Sequence, residues 1–348
     1  MDTSIPESTV HSSVAIPITD ITRVGEARRM AVTMAGWLGF DETHAAKVGI
    51  VVTEAAGNIL KHARHGQVLI CPTGFGSIGG IEIIALDHGP GMANVSRCFS
   101  DGYSTAGTPG NGLGAISRLT STCDVHTMVG AGTAVLARLW AAPLPAPIVP
   151  PGLEDGAISL PKSGEESCGD SWAIDQQPGR SMLMMVDGLG HGMHAAEAAR
   201  AAVHAFRQNV HRRPGAILEA AHGALRSTRG AAMAVAEVDL DQKSIRYAGI
   251  GNISSVMVGP AGHSNLVSHN GIIGHQARKF QEFTYPWQPE GVIIMHSDGL
   301  GTQWRLEDYP GLASRDPSLI AAVLYRDFTR GRDDVTVLVA RSHTRSTD

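Results

Sequence analysis

Aromatic residues are scarce in this chain, 5% of 348 residues. Stacking platforms for single-stranded nucleic acid depend on such side chains, so that class is set aside. A basic excess is missing too: the formal net charge is -5 and the pI about 6.3. That is the opposite of a nucleic-acid footprint. The few cysteines, Cys71, Cys98, Cys123 and Cys168, include no CxxC pair and no zinc spacing. They read as thiols of a reducing compartment. No apolar run approaches the ~20 residues of a membrane-spanning helix. The polar stretch Met1–Val10 lacks the apolar segment of a signal peptide. A soluble, cytoplasmic protein is expected, with neither nucleic acid nor membrane as partner.

What is present is apolar material and glycine. Hydrophobic residues make up 43% and charged residues 18%, enough for packed cores. The length suggests about two domains of ~150 residues. A Pro-rich run, AAPLPAPIVPPG from Ala141 to Gly152, favours extended polyproline II and resists helix or sheet. It predicts domains at 1–140 and 153–348, joined by a linker at 141–152.

The first half alternates helix and strand. Helices are predicted at Val24–Leu38 and Thr43–Ala63. In the second, Ala45, Val48, Val52, Ala55 and Ile59 recur at steps of three and four and draw one apolar stripe. Ile81–Leu86 predicts a buried strand ending in the turn Asp87-His88-Gly89-Pro90-Gly91. Glu54 and Asn58 lie one turn apart on a different face from the stripe. Alone, such a pair is an ordinary solvated face. A carboxylate beside an amide can also hold hydrated magnesium and orient a nucleophile. Asp87 can accept from an exocyclic amine, with glycines admitting close backbone approach. GTPGNGLG, Gly107–Gly114, leads into a short helix predicted over Ala115–Leu119, and its N–H groups suit phosphate oxygens. Gly130-Ala131-Gly132-Thr133 precedes a further strand.

VVTEAAGNILKHA, ALDHGPGM, DGYSTAGTPGNGLG and GAGTAV, in that order, resemble the boxes of the GHKL ATPase superfamily. The segment from about Ser13 to Trp140 is most similar to the small anti-sigma-factor kinases of the RsbT type. The resemblance implies an α/β sandwich that binds ATP and phosphorylates serine or threonine on a STAS-domain partner. By that match Asn58 holds magnesium and Glu54 is the general base or positions water. Asp87 contacts adenine beside Gly89 and Gly91. Gly110, Gly112 and Gly114 form the phosphate lid, and Thr133 supports the adenine pocket. The lid departs from a tighter glycine and leucine run at Thr108-Pro109 and Asn111. Lys61 and His62 read as exposed helix residues.

The second half is richer in strands, predicted at Ser181–Val186, Ala232–Val238, Ile245–Ile250, Gly291–Met295 and Val335–Ala340. Helices are predicted at Met193–Gln208, Pro214–Arg226 and Pro317–Phe328, the last with Asp316 as N-cap. Acids fall at strand edges: Asp170 in CGDSWAI, Asp187 in VDGLGHG, Asp298 in HSDGL, and Asp333-Asp334 in RDDVTV. Each alone is a common turn residue. Together they fit an oxygen-rich site for Mg²⁺ or Mn²⁺ that activates water and clamps a phosphoryl group.

These motifs resemble the PPM phosphatases of the SpoIIE and RsbX type over about Glu154–Arg341. The resemblance implies two antiparallel sheets flanked by helices, with phosphoserine or phosphothreonine in a protein as substrate. Asp187, the Gly188 carbonyl, Asp298 and Asp333 are then the ligands of two magnesium or manganese ions. Asp170 stands behind them or at the second ion, and Asp334 supports Asp333. His191 reads as a packing or capping residue, with proton donation the alternative. No arginine lies between Ser163 and Gln177 to receive phosphate, so its capture is expected to rest on the metals. The fold class expected for the whole chain is α+β, a GHKL sandwich followed by a PPM-type α-β-β-α sandwich.

A kinase-like and a phosphatase-like half on one chain suggest a bifunctional regulator. Its partner would be a STAS-domain antagonist or scaffold, with a downstream phosphatase or sigma regulator as a further partner. Two other readings stay open. The first half can be a nucleotide-gated module that sequesters a sigma factor or activator, or it can only sense ATP for the phosphatase.

Overall fold

The computed structural model describes residues 13–99, 112–145, 152–260, 262–288 and 290–342. The chain forms two compact units, Met1–Ile148 with Glu307–Arg315, and Val149–Leu306 with Asp316–Asp348. Residues 146–151 of the Pro-rich run lie outside the described residues.

The first unit has strands β1 (Val14–Ile18), β2 (Gly66–Phe75), β3 (Ile78–Asp87), β4 (Thr122–Met128) and β5 (Gly132–Trp140). They form one antiparallel sheet in the order β1-β2-β3-β5-β4. Its helices are α1 (Ile21–Trp37), α2 (Glu42–Asn58), α3 (Val95–Cys98) and α4 (Gly112–Leu119). Asp20 caps α1 by accepting from the Thr22 and Arg23 N–H groups, and Asp41 caps α2 through His44 N–H. The stripe predicted on α2 is buried throughout, and packs with Ile70, Ile83, Val135 and Ala137 of the sheet in one core.

Two boundaries differ from the sequence expectation. The α-helix ends at Asn58, and Ile59–Ala63 form a π-turn closed by Arg64 N–H on Ile59 O at 3.0 Å. Apolar spacing does not register a change from i→i+4 to i→i+5 bonding. Helix α4 begins at Gly112, not Ala115, so two expected lid glycines are helical. A methyl at Gly112 would lie 2.9 Å from Asn58 Oδ1. Glycine there lets α4 approach α2 more closely than its helix propensity would suggest.

The second unit stacks two antiparallel sheets. One orders β13 (Phe283–Pro286), β10 (Ser244–Ile250), β9 (Ala231–Asp239), β8 (Arg180–Gly188) and β7 (Asp170–Gln177). The other orders β12 (Gly262–Asn265), β11 (Ser254–Gly259), β14 (Val292–His296), β15 (Val335–Ser342) and β6 (Leu153–Leu160). Leu183, Met185, Ala234 and Tyr247 of the first meet Met257, Ile293, Met295 and Leu338 of the second in the core between them. Helices α5 (Met193–Asn209) and α6 (Pro214–Ala224) cover the outer face of the first sheet through Ala198, Ala202, Phe206 and Leu218. Helix α7 (Pro317–Phe328) starts where predicted, with Asp316 accepting from Ser318 N–H. This α+β architecture carries Asp170, Asp187, Asp298 and Asp333 to the ends of paired strands.

Candidate functional site

In the first unit, Glu54 and Asn58 sit half-buried on the last turns of α2. Asn58 faces the N-terminal end of α4 at Gly112. Across the sheet, Asp87 ends β3 opposite Thr133 of β5. Its Oδ1 accepts from Gly89 N–H at 2.7 Å and from Thr133 N–H at 3.3 Å. The carboxylate is thus held by backbone on both sides of the turn. Gly91 has φ +69°, and a methyl there would lie 2.2 Å from Met128 O. Gly132 has φ +98°, and a methyl there would lie 2.0 Å from Asp87 O. Neither position admits another residue without moving the backbone.

Thr133 is held by a neighbour that carries no motif in the sequence. Thr127 Oγ1 lies 3.1 Å from Thr133 Oγ1, donates to Gly132 O and accepts from Met92 N–H. No motif marks Thr127; only the β4–β5 register places it there. Gly114 is buried in α4, and Gly110 lies outside the described residues. Lys61 and His62 are exposed on the π-turn.

In the second unit, Asp170 and Asp187 stand directly opposite each other across β7 and β8. Asp298 follows β14, and Asp333-Asp334 precede its neighbour β15. Burial pushes the Asp187 carboxyl up to about 7, and the charges of Asp298, Asp333 and Asp334 add to it. Asp170 is buried and rises well above the usual carboxylate range, first from burial and then from Asp187. Its Oδ2 has no hydrogen-bond partner. As placed, no three His, Cys, Asp or Glu side chains among the described residues close tightly on one ion. The donor set still fits a hard divalent cation: all oxygen, mutually repelling, with one buried oxygen unsatisfied.

Backbone pins this arrangement. Asp334 accepts from Lys162 N–H at 2.8 Å and from Gly169 N–H at 2.9 Å. Asp333 Oδ1 accepts from Asp334 N–H. Asp334 therefore does more than support Asp333: it ties the loop before Asp170 to the start of β15, 165 residues away. Gly188 donates to Gly169 O, and a methyl on it would lie 2.2 Å from Ala195 O. Asn252, unmarked in the sequence, donates to Asp298 Oδ2 at 2.8 Å.

His191 neither packs nor caps. Its side chain is 46% exposed, the N-cap of α5 is Gly192 without a side-chain bond, and His191 Nδ1 lies 2.6 Å from Glu165 Oε1. Glu165 sits in a loop before Asp170, where spacing gives no signal.

Comparison with known proteins gives two family matches along the chain. Residues 19–139 match the family described as "Histidine kinase-like ATPase domain". Residues 177–343 match "Stage II sporulation protein E (SpoIIE)". The serine/threonine-protein kinase RsbT of Bacillus subtilis (strain 168) is 33% identical over 114 residues, covering 33% of this chain and 86% of that protein. The phosphoserine phosphatase RsbX of the same organism is 25% identical over 142 residues, covering 40% of this chain and 71% of that protein. A solved structure reported as "The bacterial stressosome: a modular system that has been adapted to control secondary messenger signaling" aligns with TM-score 0.51 and 29% identity, over 54% of this chain and 99% of that one.

Fold and sites together define a kinase-like ATPase domain joined to a phosphatase domain of the PPM class. The chain belongs to the histidine kinase-like ATPase family through its first half, as a relative of RsbT, and carries a SpoIIE domain related to RsbX in its second.

Proposed function

We propose that the chain is a bifunctional signalling regulator. Its first half transfers phosphate from ATP to serine or threonine of a STAS-domain partner, and its second half removes phosphate from that partner or a related scaffold. The observation that carries this reading is Glu54, half-buried one turn before Asn58 and the α4 approach. A module that only sequesters a partner needs the nucleotide pocket but has no use for a carboxylate at that place.

In the kinase half, Glu54 takes the proton of the attacking hydroxyl. Asn58 would hold magnesium, Asp87 and Thr133 the adenine, and the N-terminus of α4 the phosphates. In the phosphatase half, Asp187, the Gly188 carbonyl, Asp298 and Asp333 would hold two Mg²⁺ or Mn²⁺ ions, with Asp170 behind them. Such ions supply a water of lowered pKa and neutralise phosphoryl charge. Asn252 fixes the Asp298 carboxylate, and Asp334 holds the loop before Asp170 in place. The His191–Glu165 pair holds a proton beside this loop for the departing serine or threonine oxygen.

The test follows label from ATP onto a purified STAS-domain protein with Mg²⁺, then its loss with Mn²⁺ after ATP is removed. Label should appear and then disappear. Glu54→Ala should abolish the first phase and Asp187→Ala the second, each leaving the other phase intact. Partner and ATP binding with no label would leave the first half a nucleotide-gated binding module.

A further inference from the structure

The acidic centre has a positive neighbour that its motifs do not contain. Arg229 lies in TRGAA, immediately before β9, far from every acid of the site in sequence. Its backbone is fixed on both sides. Gly230 O accepts from Leu189 N–H at 3.0 Å, and Ala231 pairs with Gly188, so the segment is stitched to the loop after Asp187. Gly230 N–H donates to Thr228 Oγ1, which donates to Leu225 O. Ala231 and Ile273 exchange both backbone bonds, at 3.1 and 2.8 Å.

The guanidinium then falls over Gly190. A methyl built at Gly190 would lie 3.1 Å from Arg229 Nη1 and would meet no other group within 4 Å. Gly190 has φ +89° in the turn between Asp187 and His191. Arg229 is exposed and forms no ion pair or side-chain hydrogen bond among the described residues. Arg229 is therefore held beside the loop that follows Asp187. A planar, permanently charged fork with free donors suits two oxygens of a phosphoryl dianion.

We propose that Arg229 is the phosphate-binding residue of the phosphatase half, taking phosphoryl oxygens that project away from the metal ligands. This rests on the phosphatase reading above, and it is an alternative to phosphate capture by the metals alone. Strand pairing supplies the arginine from the start of β9 instead of from the segment around Asp170.

The test is calorimetric titration of inorganic phosphate into Mg²⁺-loaded full-length chain, for wild type, Arg229→Ala and Arg229→Lys. Hydrolysis of p-nitrophenyl phosphate is measured alongside. Arg229→Ala should weaken phosphate binding about 10-fold, a loss on the scale of one charge-assisted hydrogen bond. Arg229→Lys should recover part of it, and the KM for the aryl phosphate should rise in parallel. Melting temperature and Mg²⁺ affinity should stay unchanged. Equal phosphate affinity in wild type and Arg229→Ala overturns the proposal, as does a loss confined to phosphoprotein substrate, which would make Arg229 a partner contact. Phosphate binding that depends on Arg229 without any hydrolysis by wild type would sink the phosphatase reading but leave the arginine's role standing.

Discussion

Glu54 and Asn58 share one helix and stand one turn apart, whereas Asp187 lies on a strand of one sheet and Asp334 just before a strand of another. The nucleotide unit builds its cradle mainly from backbone: the Gly89 and Thr133 N–H groups on Asp87, close approach at Gly91 and Gly132, and glycines in α4. The phosphatase unit builds from side-chain charge, and its acids raise one another's pKa. The first site should therefore fail when bulk is added, and the second when charge is removed.

Removing charge gives the largest expected effect. Asp170→Asn deletes a buried acid that faces Asp187 and has an unsatisfied oxygen. Metal affinity, read by activity or calorimetry against Mn²⁺, should fall about 10- to 100-fold. The same variant should melt higher than wild type in EDTA above pH 7, because relief of like-charge repulsion stabilises the metal-free fold. A lower melting temperature there would show that Asp170 stabilises the fold and is not held against a folding cost.

Adding bulk comes next. Gly112→Ala places a methyl 2.9 Å from Asn58 Oδ1. Nucleotide affinity in the first unit should drop about 10-fold, roughly 1.4 kcal/mol, while phosphatase activity stays unchanged. Equal loss of both activities would break the contrast between the units.

A smaller effect separates proton transfer from charge. His191→Asn should lower kcat about 10-fold on a phosphoserine peptide, whose leaving oxygen needs a proton. On p-nitrophenyl phosphate, with a good leaving group, the change should be under about 2-fold. A uniform loss on both substrates would assign His191 to the geometry of the metal loop.

A separate effect concerns stability alone. His296 ends β14, buried against Trp304, whose Nε1–H donates to His296 Nε2 at 3.3 Å. Burial holds its pKa down to about 4, with the Arg330 charge adding to this and the Ser297 carbonyl opposing it. Its neutral form therefore contributes stability that is full above about pH 6.5 and is lost as pH falls toward 4. The unfolded chain takes up a proton in that window and the folded one does not. The span corresponds to about 3 kcal/mol. The difference in melting temperature between wild type and His296→Gln should shrink steadily from pH 6.5 to 4. A constant difference would refute the assignment.

Much of this was legible in the residues. The buried stripe on α2, the Asp316 cap of α7 and the Asp-Gly turns at strand ends all follow from local chemistry. Spacing alone could not show that α2 changes to a π-turn at Ile59, or that α4 starts at Gly112. Both depend on how closely neighbouring elements approach. Thr127, Glu165, Asn252 and Arg229 carry no motif, and each reaches its site through strand register or loop packing.

The apolar faces and the residue types able to bind a nucleotide or a divalent cation can be read along the chain, because period, capping and side-chain chemistry act over a few residues. Which acids meet, that Asp334 ties the Asp170 loop down from far along the chain, and that an arginine stands over Gly190 all depend on the folded arrangement. Sheet pairing fixes those neighbours, and pairing depends on the burial of whole faces, which no short window of sequence contains.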